Sequence, residues 1–88
     1  MLLIDYSNDA AKFLLKLEAK QHKQINSKII ALAKDPRPVD SIDMSGDGLF
    51  RADIGEYRIV YKFDKTILQV FIIGKRNDDD VYKKLDRK

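Results

Sequence analysis

Arg51 and Arg58 stand on either side of a Gly55-Glu56 pair, Lys75 and Arg76 follow the most apolar run of the chain, and Tyr82 comes six residues after Arg76. Arginines grouped in this way suit a phosphate-bearing partner such as RNA. A guanidinium binds phosphate in bidentate fashion, stays charged at any relevant pH and stacks on bases. Cleaving a phosphodiester without a metal also needs positive charge where the pentacovalent phosphate becomes more negative. A tyrosine among such cations could serve as a base if they lower its pKa from near 10. From composition alone, the plainer reading is a set of solvated arginines on an exposed sheet.

Other chemistries have less to stand on. His22 is the single histidine, lies in a polar run and has no cysteine beside which to share a metal, so it reads as structural or solvent-facing. A Ser-His-Asp set would have to use that same histidine, and nothing suggests a partner for it. Gly46 and Gly48 flank Asp47 before a strand and form no phosphate-binding loop. Asp78, Asp79 and Asp80 are consecutive, so on a helix they point in different directions; helix capping accounts for them better than a Mg²⁺ site. The chain has 88 residues, a net charge of +3 and no cysteine. One domain with one core is expected over residues 1–88, in a reducing cytosol, with a mild basic balance that permits a phosphate-bearing partner. Met1-Leu2-Leu3-Ile4 is cut off by Asp5 and reads as neither a signal peptide nor a membrane span.

The elements that must position these residues follow from periodicity. Leu2, Leu3, Ile4 and Tyr6 make a short strand, ended by Ser7-Asn8-Asp9, any of which suits a helix cap. Ala10, Phe13, Leu14 and Leu17 then share one helical face, and after the polar stretch Glu18–Gln24 the same spacing returns at Ile25, Ile29, Leu32 and Ala33. This predicts a helical hairpin, stopped by Pro36 and Pro38. Residues 37–48 read as a loop of about a dozen residues, a length that is often functional or mobile.

Beyond the loop, Phe50 to Tyr61 alternate apolar and polar residues around Gly55-Glu56, a two-residue hairpin with glycine first. That turn sets Ile54 opposite Tyr57, Asp53 opposite Arg58, Ala52 opposite Ile59 and Arg51 opposite Val60. Phe50, Ala52, Ile54, Tyr57, Ile59 and Tyr61 then share an apolar face; Arg51, Asp53, Arg58 and Lys62 stand on the other beside Val60. After Asp64-Lys65-Thr66, residues 67–73 are apolar on both faces except Gln69, which predicts a central strand with helices on one side and a partner or tail on the other. Asn77 and the aspartates after it suit the start of a short helix carrying Val81, Tyr82 and Leu85, with Lys83, Lys84, Arg87 and Lys88 toward its end. The expected order is β-α-α-β-β-β-α, an α+β domain with a largely antiparallel sheet, an N-terminal helical hairpin on one face and a short C-terminal helix.

The segments Leu49-Phe50-Arg51-Ala52-Asp53-Ile54-Gly55-Glu56-Tyr57-Arg58-Ile59-Val60-Tyr61 and Gly74-Lys75-Arg76-Asn77-Asp78-Asp79-Asp80-Val81-Tyr82 resemble the signature of the RelE/ParE superfamily of bacterial toxin-antitoxin toxins, nearer the RelE branch. The element order resembles that family's over essentially the whole chain. The resemblance implies a ribosome-dependent mRNA endoribonuclease that inhibits translation with no metal or small cofactor, the RNA 2′-hydroxyl attacking the adjacent phosphate. Carried over by motif, it implies that Arg51 and Arg58 hold and neutralise the scissile phosphate, that Arg76 assists charge stabilisation or leaving-group protonation, and that Tyr82 helps activate the 2′-hydroxyl. Lys62, Lys75, Lys83 and Lys84 are assigned to RNA contact on the same reading.

One departure bears on activity. Where the family's best-known RelE toxins carry a second basic residue on the first hairpin strand, this chain has Asp53, placed opposite Arg58. It either weakens the nuclease by neutralising the phosphate-binding arginine or orients that arginine. The alternative function is a binding module without nuclease activity: a ParE-like gyrase inhibitor, or a weakened toxin that retains antitoxin binding. The partners implied are a cognate antitoxin, the ribosome and its mRNA, and operator DNA only through the antitoxin complex. A cytoplasmic location is expected, with no membrane.

Overall fold

The computed structural model describes residues 1–44, 48–77 and 80–86. The chain runs β1 (Leu3–Tyr6), α1 (Asn8–Leu15), α2 (Ala19–Lys34), β2 (Ile42–Met44), β3 (Leu49–Ile54), β4 (Tyr57–Phe63), β5 (Ile67–Lys75) and α3 (Asp80–Asp86). One five-stranded sheet has the order β1-β5-β4-β3-β2. Among the described residues only β1 and β5 pair in parallel, with the helical hairpin α1-α2 as part of the long connection between them that parallel strands require.

Local chemistry explains most boundaries. Ser7 caps α1, its hydroxyl accepting from the Ala10 amide at 3.1 Å. α2 starts at Ala19 and so takes in most of the polar stretch read as lying between the helices; the link is only Lys16–Glu18. Its last residue is Lys34, two before Pro36, as proline's restriction of the preceding backbone dictates. Gly55 has a φ of +56°, the positive value that the first position of a primed hairpin turn requires. The β3–β4 register is the expected one, including Asp53 opposite Arg58 and Arg51 opposite Val60.

Three features depart from or complete the sequence reading. The segment expected to be all loop contains β2, a three-residue edge strand pairing Ile42 with Arg51 and Met44 with Leu49. Three residues carry too little alternation to be read, and β3 supplies the pairing that makes them a strand. The preceding stretch is pinned as well: Lys28 bridges to Asp40 at 2.9 Å and the Arg37 guanidinium lies 5.3 Å from the Phe50 ring centre. Secondly, Val60 pairs with Ile72 but Tyr61 with Val70, which leaves Phe71 as the extra residue of a β-bulge. Leu68, Val70 and Ile73 therefore belong to one core and Phe71 and Ile72 to the other, and this is why the run looked apolar on both faces. Thirdly, the tail covering the second face of β5 is α3 itself, so helices lie on both sides of the sheet. The capping expected from Asn77 to Asp80 falls largely on Asp78 and Asp79, and the basic end on Arg87 and Lys88, all outside the described residues, as is Gly46.

The larger core joins Leu14, Ile25, Ile29 and Leu32 of the helical hairpin to Phe50, Ile59, Tyr61, Leu68, Val70 and Ile73. Each aliphatic side chain fully buried there contributes about 1.5–3 kcal/mol relative to exposure. Tyr61 is fully buried, and its hydroxyl donates to the Pro36 carbonyl at 2.6 Å, tying β4 to the end of the helical hairpin. Burial pushes its phenol up to about 12. With the folded pKa above the ordinary value of 10.0, the phenol supports folding fully below pH 10.0 and loses that contribution as pH rises toward about 12. Tyr61→Phe is therefore expected to cost about 1 kcal/mol at neutral pH, read from urea midpoints, and to flatten the fall in stability between about pH 10 and pH 12.

Candidate functional site

The cluster is built on the sheet face away from the helical hairpin. β3 supplies Arg51 and Asp53, β4 supplies Arg58 from directly across, the end of β5 supplies Arg76, and α3 brings Tyr82 over them. Alternation along paired strands puts Arg51, Asp53 and Arg58 on one side, and the apolar patch of Val60, Ile72 and Val81 beneath α3 lies next to them. Tyr82 belongs to the fringe of that patch, so its ring is packed while its hydroxyl reaches the arginines.

Two guanidinium groups converge on that hydroxyl. Arg58 Nη1 donates to Tyr82 Oη at 3.2 Å, and Arg51 Nη1 donates to the same oxygen. Both cations also lie near the ring, with centroid distances of 5.7 Å for Arg58 and 6.0 Å for Arg51, at the outer limit of a useful cation–π contact. Arg58 is held in turn by Asp53: Nε donates to Oδ1 at 2.8 Å and Nη2 to Oδ2 at 3.3 Å, a fork of two bonds across the hairpin. Arg76 completes the group at the turn, with Nε 3.5 Å from Asp53 Oδ2 and Nη1 donating to the Gly55 carbonyl at 3.1 Å.

Three guanidinium groups thus surround one carboxylate. The hydrogen bonds from Arg58 hold the Asp53 carboxyl below the usual carboxylate range, against the opposing pull of burial, and the charges of Arg58, Arg76 and Arg51 add to the effect. The bonds to Asp53 likewise raise the Arg58 guanidinium above its ordinary value. Asp53 remains 37% exposed at its side chain, so solvent screening limits the pair to about 1 kcal/mol.

The lysines assigned to RNA contact are dispersed. Lys62 is exposed on the same face as Arg58 but four residues further along β4, about 13 Å away. Lys75 pairs with Tyr57, and directly opposed residues share a face, so it stands on the helical-hairpin side of the sheet. Lys83 is exposed on α3, whereas Lys84 is half-buried, with its ammonium on the Ile73 carbonyl at 2.9 Å. Sequence reasoning missed this placement of Lys84 and its neighbour Asp9, although the spacing Val81, Lys84, Leu85 on one helical face was the signal. An open cleft of about 270 Å³ lined by Lys16, Leu17, Glu18, Gln21 and Tyr57 shares no residue with the cluster. Among the described residues there is no set of three His, Cys, Asp or Glu side chains able to hold a metal ion, and no helix long and apolar enough to cross a membrane.

A sequence model of the ParE toxin of the type II toxin-antitoxin system parDE matches residues 4–80. The chain belongs to that toxin family. Its fold is shared with RelE toxins. The isolated E. coli RelE toxin superposes with a TM-score of 0.75 at 19% identity, covering 97% of this chain and 99% of that one. The toxin chain compared in the intact E. coli RelBE toxin-antitoxin complex gives 0.75 at 22% identity, with 85% and 96% covered. The archaeal RelE-RelB complex from Pyrococcus horikoshii OT3 gives 0.73 at 22%, with 85% and 94% covered. No curated protein matches the chain. Sequence family and structural likeness agree on a RelE/ParE superfamily toxin, as the two hairpin and strand-end motifs implied.

Because the folded pKa of Asp53 is depressed, the stability it contributes is present above its ordinary value of 3.8 and is lost as pH falls through the folded value. Asp53→Asn is expected to lower stability at neutral pH by no more than about 1 kcal/mol, and this difference should shrink in denaturation curves taken near pH 2.

Proposed function

We propose that this toxin is a metal-independent endoribonuclease that cuts mRNA on the ribosome, held inactive in the cytoplasm by a cognate antitoxin. The observation that carries the reading is the convergence of Arg51 and Arg58 on the Tyr82 hydroxyl. A phenol oxygen is a modest acceptor for two guanidinium groups, and a non-bridging phosphate oxygen is a better one because charge-assisted bonds are roughly twice as strong. A phosphodiester seated there would be neutralised by Arg51 and Arg58 and would lie against the Tyr82 oxygen. From that position the Tyr82 oxygen accepts a hydrogen bond from the attacking 2′-hydroxyl and orients it toward the phosphorus, and Arg76, at the edge of the same group, meets charge that develops on the leaving side. Lys62 and Lys83 extend the basic surface along the bound strand. A ribosome-bound substrate suits this reading, since the ribosome then helps fix the RNA against the cluster.

The antitoxin is proposed by likeness: two of the matched structures are RelE complexes with RelB. A segment disordered when free could cover the charged face or displace α3, and operator DNA would be reached only through the resulting complex.

A second reading has its own observation. The fork between Asp53 and Arg58 occupies the donors that a phosphate would need, and this favours a binding module, either a ParE-like gyrase inhibitor or a weakened nuclease. Programmed ribosomes incubated with the toxin separate the two. Cleavage mapped to the A site, reduced about 10²-fold or more in Arg58→Ala and Tyr82→Phe, is the result expected of the nuclease. Intact mRNA at high toxin concentration together with inhibited gyrase supercoiling would establish the other. Within the nuclease reading, Asp53→Lys should raise cleavage if the carboxylate competes with phosphate; unchanged or lower cleavage assigns it to orienting Arg58.

A further inference from the structure

α3 is seven residues long, too short to hold together in water by itself, so its place is set by what it docks against. Val81, Lys84 and Leu85 share one helical face at i, i+3 and i+4. Val81 is fully buried against Val60 and Ile72, and Leu85 packs on the same cluster. Lys84 interrupts this apolar stripe. Its aliphatic stem can lie along the core, but its ammonium must find acceptors or cost several kcal/mol in lost hydration.

It finds three partners of different kinds. Nζ donates to the Ile73 carbonyl at 2.9 Å, lies 3.5 Å from Asp9 Oδ2 and sits 4.7 Å from the centre of the Phe13 ring. Each has a reason to be there. The parallel pairing of β1 with β5 stops at Tyr6 and Val70, so Ile73 lies in the half of β5 beyond the end of β1. Asp9 Oδ2 is buried and accepts no hydrogen bond among the described residues, which makes the ammonium its charge partner. Phe13 presents its face on α1, the helix that runs beside this part of β5. A side chain from one face of the sheet therefore reaches past β5 and grips the helix packed on the other.

We propose that Lys84 is a positioning residue, a clamp that fastens α3 to β5 and α1 and so holds the Tyr82 hydroxyl between Arg51 and Arg58. Its ammonium is committed to Ile73, Asp9 and Phe13 and is not one of the RNA-contacting lysines. The clamp itself stands on geometry; only its effect on RNA cleavage rests on the function proposed above.

The sequence contains no cysteine, so Val81→Cys puts a single thiol at a fully buried position, and its rate of reaction with a thiol reagent reports undocking of α3. In that background Lys84→Gln should speed labelling about tenfold or more, Asp9→Asn should do so to a smaller degree, and Lys84→Arg should restore slow labelling. An unchanged rate in Lys84→Gln overturns the clamp, as does fast labelling of Val81→Cys with Lys84 in place. Hydrogen exchange of the 81–85 amides in the chain without the new thiol repeats the comparison should the cysteine variant fold poorly; equal protection with and without Lys84→Gln overturns the proposal. In the ribosome assay, Lys84→Gln should lower kcat with KM nearly unchanged, whereas a raised KM at constant kcat marks a phosphate-contacting lysine and counts against the clamp. If the chain cuts no RNA, the labelling and exchange rates still decide the clamp.

Discussion

The pairing of β3 with β4 is the constraint on which the rest depends. Side chains alternate with period two, so a slip of β4 by one residue against β3 would send Arg58 into the core under the helical hairpin, away from Arg51, and turn Ile59 and Tyr61 to the charged face. Gly55 fixes the register. Its φ of +56° belongs to glycine, and a Cβ built there would stand 2.7 Å from the Gln24 amide nitrogen of α2. The turn is thus held by its own backbone conformation, with the end of the Gln24 side chain lying over Gly55. Because Asp53 and Arg58 are the second pair back from this turn, their fork of hydrogen bonds is available only in the one register that also buries the core.

From that hairpin the sheet serves two faces that differ in kind. The face under α1 and α2 is a continuous apolar core with Tyr61 as its largest fully buried side chain among the described residues. The other carries only a small apolar patch, Val60, Ile72 and Val81, fringed by Met44, Leu49, Phe71 and Leu85. The bulge at Phe71 makes this division possible, because β5 turns Leu68 and Val70 to one face and Phe71 and Ile72 to the other within a single strand. A patch of this size docks a short helix, and the helix it docks carries Tyr82. The charged cluster therefore exists at the margin of an apolar contact, where a phenol ring can pack and its hydroxyl can still meet guanidinium groups.

What could be read in the sequence was whatever repeats with a fixed period. The hairpin register followed from alternation between Phe50 and Tyr61, and the helical hairpin from the 3.6-residue spacing of Ala10, Phe13 and Leu14 and of Ile25, Ile29 and Leu32. The grouping of Arg51, Asp53 and Arg58 followed from the same alternation. Features that depend on a neighbour distant in sequence stayed hidden. β2 is a strand because β3 offers an edge, not because Ile42-Asp43-Met44 has strand character of its own. The bulge disguised β5 as a strand apolar on both sides, since one extra residue erases the alternation it interrupts. Lys84 looked like one more lysine of a basic tail because nothing local reveals that Ile73, Asp9 and Phe13 converge on it.

Two electrostatic contacts bear on the Tyr82 site, and an incoming polyanion would meet them differently. The Asp53 carboxylate is 37% exposed and engages Arg58 and Arg76, so salt screens these contacts and a phosphate brought to the arginines would compete with them. The Lys84 ammonium is directed to a backbone carbonyl, a partly buried carboxylate and an aromatic face, with its side chain 24% exposed, so a phosphate at the arginines offers it little. Binding of an anion would therefore loosen the first contact and leave the second in place. Arg58 could then turn from Asp53 toward the ligand while Tyr82 stays where α3 holds it. Under the proposed function, the carboxylate would set how strongly the cluster takes a phosphate, and the helix dock would set whether a tyrosine is present beside it.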